Sequence, residues 1–549
     1  MNDSRASHRT TRRGPSPKAG HRVAVRVLLA GLLAQGLMLV GLPGVASSAE
    51  PLVQTTTGPV VGIVTESSLQ WRGLPYAAPP VGGLRWRPPH PASSWSTPRD
   101  ASQFRNWCAQ PNLETGELNG SEDCLYLNVS APLGTTSQDR RPVMVHLHGG
   151  SNTFGGPVED TSAFTDRGVM VVTVAYRLGV FGFVGHPALS AEAGGSSGEY
   201  GVLDQIAALR WVRDNIAAFG GDPANVTLFG LSAGSFDTVG LMASPLSQGL
   251  MARAAVQGEV WWALNGKFNA ITDAEQLGVG VAERVGCATA PDQASCLRQV
   301  PAQELAASGG FIDAAPWVGG TVLPQAPDKL LQQSSVPLLV GFDREENSIF
   351  VGPEPEQYPR HAWVKDTNSV LGPAYGAQAR KLYPPEKYGS MWWSYITLLT
   401  DGVRGCPTRT LANIVAGGSP VWRFLYSHTF ADPLLEPFRA AHTFEDLLLW
   451  HNTNFFELTP AEQVLANQIT DYWVNFAKTG NPNGPGLPTW PQYETANEPI
   501  LVLDTPVGLS QEYHKTECAF VDSAPILFPY PWEGGGHPPD LPLFPPGFS

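Results

Sequence analysis

Val226-Thr-Leu-Phe-Gly-Leu-Ser-Ala-Gly-Ser235 is the stretch that decides the fold. It opens as a short apolar strand, passes through Gly230-Leu-Ser-Ala-Gly234 and runs on into a helical segment, Phe236-Asp-Thr-Val-Gly-Leu-Met242. A G-x-S-x-G between a strand and a helix is a nucleophile elbow, a turn that holds a serine above the end of a sheet. The reason for the glycines is steric. Side chains two residues before and two after the serine would collide in so tight a turn, so Gly230 and Gly234 stand there. The turn lifts the Ser232 hydroxyl clear of the sheet and aims the Ala233 N–H, at the helix start, toward a developing oxyanion.

Working outward from the elbow, strands and helices alternate. Asp123–Val129, Pro142–His148 and Val169–Tyr176 read as strands, the last apolar throughout, as a strand covered on both faces should be. Asp204–Ile216 has helical spacing and ends at Phe219-Gly-Gly221, immediately before the elbow strand. Strand, helix, strand with short turns implies an α/β fold with a mostly parallel sheet. Upstream, Gly58–Val64 suggests a small antiparallel hairpin. Downstream, Asp273–Val285 and Pro301–Ser308 read as helices, the first with Thr272 and Glu275 spaced as a capping box. Val336–Phe342 and Val421–Tyr426 read as further strands, and Ala461–Lys478 as a helix with Pro460 at its start. Residues 355–440 are mixed, with aromatic rings at Trp392, Trp393 and Tyr395, and read as helices inserted over the sheet.

The ends of the chain differ from its middle. Residues 1–26 carry seven basic residues and one acid, Val27 to Leu42 is apolar, and small residues Val45–Ala49 precede Glu50. This is the layout of a secretory signal over residues 1–49, with cleavage near Ala49 and an extracellular mature protein. A run of sixteen residues, apolar apart from Gln35 and some glycines, is short for a membrane span of roughly 20. Arg12-Arg13 hints at twin-arginine export, but Gly14-Pro15 follows where an apolar residue is usual, which favours the Sec route. The organisation expected is a signal at 1–49, one catalytic domain at 50–528 and a Pro/Gly-rich tail at 529–549. Losing seven basic residues and one acid takes the formal charge from −14 to −20. So acidic a surface argues against nucleic acid or anionic membrane as a partner. Six cysteines in an exported chain imply three disulfides, with fifteen pairings open. No C-x-x-C or Cys/His cluster with zinc spacing occurs, and no cofactor or metal is expected.

Six segments in order resemble the type-B carboxylesterase (cholinesterase-like) family of α/β-hydrolases: Arg72–Ala77, Ser121–Asn128, His148-Gly-Gly150, Tyr176-Arg177, Phe219–Thr227 and the elbow. The resemblance covers roughly residues 52–525. It implies an α/β-hydrolase fold with helical insertions over the active site, and a Ser–acid–His triad in that chain order. Glu346, in Gly341–Phe350, is the matching acid, with Glu345 and Asp343 as rivals. His442, in Ala441–Glu445, is the matching base. One histidine among twelve is otherwise more often a surface or capping residue. Serine at its free pKa is a poor nucleophile, so the base must take its proton and the acid must hold the imidazole.

The resemblance also implies an oxyanion hole from the N–H groups of Gly150, Ser151 and Ala233. It implies an acyl pocket near Trp261 and Trp262; Phe154 and the Trp392/Trp393 cluster are read as lining the rest, with ordinary core as the equal alternative for Trp392 and Trp393. The implied pairing of the cysteines is Cys108–Cys124, Cys287–Cys296 and Cys406–Cys518, each worth about 2–4 kcal/mol. Three residues depart from the pattern. Ser151 replaces a third glycine, Leu231 stands where cholinesterases carry glutamate, and Gly258 stands where relatives have a serine supporting the acid. The Cys108–Cys124 loop lacks the tryptophan that binds choline, which argues against choline esters. The function expected is therefore a secreted serine carboxylesterase acting on a small-molecule ester through an acyl-enzyme. Its rivals are a non-catalytic recognition protein on the same fold and a hydrolase of amides, carbamates or thioesters.

Overall fold

A computed structural model describes residues 51–112, 115–258, 260, 269–309, 316–453 and 456–524. Its centre is an eleven-stranded sheet. Seven strands run parallel, in the spatial order Met170–Val174, Arg141–Leu147, Gly221–Leu231, Arg253–Gln257, Leu338–Asp343, Val421–Tyr426 and Pro499–Leu503. Antiparallel strands close both edges: Tyr126–Pro132, Ser68–Pro75 and Ile63–Val64 on one side, Gly508–Gln511 on the other. The chain crosses the sheet almost in sequence order, from Ile63–Val64 at one edge to Gly508–Gln511 at the other, and only Arg141–Leu147 and Met170–Val174 exchange places. A parallel sheet built by such crossovers is covered by helices.

Two-residue periodicity explains the covering. In Arg141–Leu147 the side chains of Val143, Val145 and Leu147 enter one hydrophobic core, while Met144 enters the other. Val226 and Leu228 point one way and Phe229 the other, as do Leu338 and Val340 against Leu339. Helices Tyr200–Asn215 and Ala233–Ala243 fill the first core through Ile206, Leu209, Val212, Phe236 and Val239. Helix Pro460–Thr479 fills the second through Leu465, Ile469, Trp473 and Phe476.

One local detail departs from expectation. Helix Ile271–Arg284 begins one residue before Thr272, so the Asp273 carboxylate, rather than Glu275, accepts the Ala270 N–H at 2.8 Å. Glu275 instead accepts the Ser190 hydroxyl at 2.5 Å. Trp392 and Trp393 are buried in a small cluster with Ile396, on helix Met391–Thr400. That helix passes through one turn of π-helix, Asp401–Gly405, into helix Cys406–Val415. The cysteines pair as Cys108–Cys124, Cys287–Cys296 and Cys406–Cys518, and the last ties the start of Cys406–Val415 to helix Lys515–Ser523.

Candidate active site

Ser232 ends the strand Gly221–Leu231 and starts the helix Ala233–Ala243, with φ 56° and ψ −121°. Side chains rarely adopt that conformation, and the turn can close around it because the flanking positions carry no Cβ. A Cβ on Gly230 would lie 2.3 Å from Gly234 O, and one on Gly234 would lie 2.1 Å from Leu147 O. The Ser232 N–H donates to Gln257 O at 3.0 Å, which anchors the turn to the neighbouring strand.

The strand Leu338–Asp343 ends in a turn that carries Glu346, and His442 sits just before the short helix Phe444–Leu449. The two segments are joined twice. His442 Nδ1 lies 2.5 Å from Glu346 Oε2, and the His442 N–H donates to Glu346 O at 3.4 Å. The Asp343 N–H donates to the other carboxylate oxygen, Oε1, at 2.8 Å. Of the rival acids, Glu345 takes Arg344 at 2.8 Å and the Ala440 N–H at 3.2 Å. Asp343 faces other carboxylates, and burial together with the charges of Glu445 and Glu346 pushes its carboxyl well up. The contact with the histidine therefore belongs to Glu346.

Burial disfavours the imidazolium of His442, and the nearby Arg404 cation adds to this, so its pKa falls far below the ordinary value. The ring is neutral at rest. With Nδ1–H directed to the carboxylate, Nε2 is left as the basic nitrogen, and among the described residues it is buried without a hydrogen-bond partner. Among the described residues no hydrogen bond joins it to Ser232. Gly258, which follows Gln257, has φ 92° and lies against this pair. A Cβ there would come within 3.2 Å of His442 Cε1 and 3.4 Å of Glu346 Oε1.

Two neighbours of the histidine escape a reading of the sequence. The ring of Phe350 packs on His442 with centroids 5.2 Å apart. Arg404, on the π-helical turn, is buried with Nε 3.4 Å from Glu346 Oε2 and Nη1 donating to Asn347 Oδ1 at 3.0 Å. A π-turn marks functional positions often enough to have drawn notice, but an α-helical pattern in the sequence does not reveal one.

The loop after strand Arg141–Leu147 passes beside the serine. A Cβ on Gly149 would lie 3.1 Å from Ser232 Cβ. Gly150 has φ 106°, and both Ser151 and Asn152 have φ 53°. Among the described residues the N–H groups of Gly150 and Ser151 make no hydrogen bond. The Ala233 N–H belongs to the first turn of its helix, where no intrahelical acceptor is available. The Phe154 ring approaches Gly150, its Cδ2 3.1 Å from where a Cβ would stand. Trp261 and Trp262, the expected acyl-pocket residues, lie outside the described residues.

The Carboxylesterase family model matches residues 49–521 of the chain. Among curated proteins, the chain is 33% identical to the para-nitrobenzyl esterase of Bacillus subtilis (strain 168), over 84% of its own length and 96% of that protein. It is 32% identical to carboxylesterase 1D of Mus musculus, with 86% and 93% covered. It is 30% identical to the cocaine esterase of Homo sapiens, with 90% and 95% covered. Among solved structures, a PNB esterase superimposes with a TM-score of 0.74 at 30% identity, covering 86% of this chain and all of that one (100%).

Proposed function

Since the chain belongs to the carboxylesterase family and is accordingly a hydrolase of carboxylic esters, we propose that it works through a Ser232–His442–Glu346 triad and an acyl-enzyme intermediate. Ser232 Oγ attacks the ester carbonyl while its proton passes to His442 Nε2. The carbonyl oxygen becomes an oxyanion facing the N–H groups of Gly150, Ser151 and Ala233. The imidazolium, held by Glu346, returns its proton to the leaving alcohol as the C–O bond breaks. Water then repeats the sequence on the acyl-enzyme and releases the acid. The observation that carries this reading is the imidazole of His442. One nitrogen is fixed by Glu346 at 2.5 Å and the other, among the described residues, is buried with no partner, poised for a hydroxyl proton. In this mechanism the Ser232–His442 hydrogen bond forms in the substrate complex, where catalytic hydrogen bonds reach their working geometry.

The substrate class is a small-molecule ester. The same proposal reads residues 1–49 as an export signal, 50–528 as the catalytic domain and 529–549 as a tail, giving a secreted protein. The three disulfides support an oxidising destination. Among the described residues no helix is long and apolar enough to cross a membrane. Trp261, Trp262 and Phe154 are proposed to line the acyl side.

Intact mass after treatment with a fluorophosphonate tests the mechanism. One adduct, mapped to the peptide holding Ser232, is expected along with turnover of short p-nitrophenyl esters. Turnover without an adduct at that serine would replace the mechanism while leaving the enzyme class intact.

Arg404 supplies a pH prediction. Its charge is among the causes that hold the His442 pKa down. Removing the cation in Arg404→Met lets that pKa rise, so the protonated, inactive base persists to higher pH. The acid limb of the kcat/KM profile is expected to move to higher pH. An unmoved limb, or one displaced to lower pH, contradicts an electrostatic role for Arg404.

A further inference from the structure

Asp237 lies five residues after Ser232 on the same helix and is wholly buried, yet among the described residues no cation pairs with it. Its partners are two amides. Asn152 Nδ2 donates to Oδ1 at 3.0 Å, and Gln205 Nε2 donates to Oδ2 at 2.5 Å. Burial pushes the carboxyl up to about 7, against the pull of Gln205 and then Asn152. Among the described residues Tyr176 also faces it, with its hydroxyl donating to His148 O at 2.8 Å and its ring stacked on His148. A lone buried carboxylate costs stability unless hydrogen bonds satisfy it, so its placement calls for a reason.

The reason lies at the other end of Asn152. Ser151 and Asn152 are consecutive non-glycine residues in the left-handed region, a conformation costing roughly 1–2 kcal/mol per residue. Successive N–H groups in such a loop form a concavity suited to an anion. The strained pair is fixed at two points. The Asn152 side chain is held by Asp237, and its carbonyl accepts the Gly179 N–H at 2.6 Å. Asp237 thus joins the oxyanion loop to the helix that carries the nucleophile.

We propose that Asp237 is a positioning residue which, through Asn152, sets the N–H groups of Gly150 and Ser151 on the reacting carbonyl oxygen. The proposal rests on the triad reading above. A brace of this kind contributes in the transition state, where the oxygen carries charge, and leaves ground-state binding nearly untouched.

The test uses the full-length mature protein and a trifluoromethyl ketone as transition-state analogue. Ser232 Oγ adds to the ketone carbon, the serine proton goes to His442 and the ketone oxygen becomes an oxyanion. For Asp237→Ala and Asn152→Ala, kcat/KM on p-nitrophenyl acetate is expected to fall by about 10–100-fold. KM should change little, and the ketone Ki should rise by the same factor. The double variant should be no worse than either single one, because the two residues act as a unit. Asn152→Gly tolerates the left-handed backbone without strain and keeps the fold if the alanine variants do not. It should show the same paired losses. Asp237→Asn, which retains one acceptor oxygen, should fall between wild type and alanine. Additive losses, or losses in KM with an unmoved ketone Ki, overturn the brace, as do variants indistinguishable from wild type. A fluorophosphonate adduct on wild-type Ser232 separates that outcome from failure of the triad. Without the adduct the triad reading falls, and the brace with it.

Discussion

Ser232→Ala is expected to lower kcat on p-nitrophenyl esters by about 10⁵–10⁶-fold, with the fold and KM little changed. The alanine methyl replaces a hydroxyl on a turn whose geometry is set by Gly230, Gly234 and the Ser232 N–H bond to Gln257 O. No backbone contact depends on the side chain that is removed. Under the proposed mechanism what disappears is the covalent route, since the acyl chain is carried on the Ser232 hydroxyl. The residue of catalysis, roughly 10³-fold over water, would come from the oxyanion donors and binding alone. Retention of more than a few per cent of wild-type turnover by a homogeneous preparation would mean that another nucleophile does the work.

Glu346→Gln is expected to cost about 10⁴-fold in kcat, and the hydrogen bonds around the carboxylate show why. Oε1 accepts the Asp343 N–H at 2.8 Å while Oε2 faces His442 Nδ1 at 2.5 Å and Arg404 Nε at 3.4 Å. A glutamine satisfies the Asp343 N–H only by turning its NH₂ toward the histidine. Nδ1 must then become the acceptor, and Nε2 carries the proton that it should be free to receive. The opposite amide orientation keeps the tautomer but sets two donors against each other at Asp343. Either way the negative charge that stabilises the imidazolium is gone. The loss should appear in kcat with KM almost constant, and fluorophosphonate labelling of Ser232 should slow in parallel. A drop under tenfold would shift the role to Glu345 or Asp343.

The frame of this molecule was readable because its signals are local. Glycines two residues either side of Ser232 have one steric explanation, and period-2 alternation in strands such as Arg141–Leu147 sorts residues between two cores. The carboxylate was harder, for Asp343, Glu345 and Glu346 are equally acidic in a string of letters. Their surroundings differ through segments a hundred residues away, near Ala440 and His442. Arg404 and Asp237 were not legible at all. Their partners, Glu346 and Asn152, lie far along the chain, and neither residue belongs to a motif that announces it. The capping of helix Ile271–Arg284 failed for a smaller reason, a helix start two residues earlier than the box Thr272–Glu275 requires.

The bond between Cys406 and Cys518 divides the chain in a way that bears on its durability. It closes a loop with a sequence separation of 112. Ser232 and Glu346 lie outside that ring of backbone, and His442 lies inside it. In an oxidising medium a protease that cuts once between residues 407 and 517 opens the ring without releasing a fragment. The histidine stays attached through Cys406 or through Cys518, according to the side of the cut, and the clipped protein is still one molecule until a reductant reaches the sulfurs.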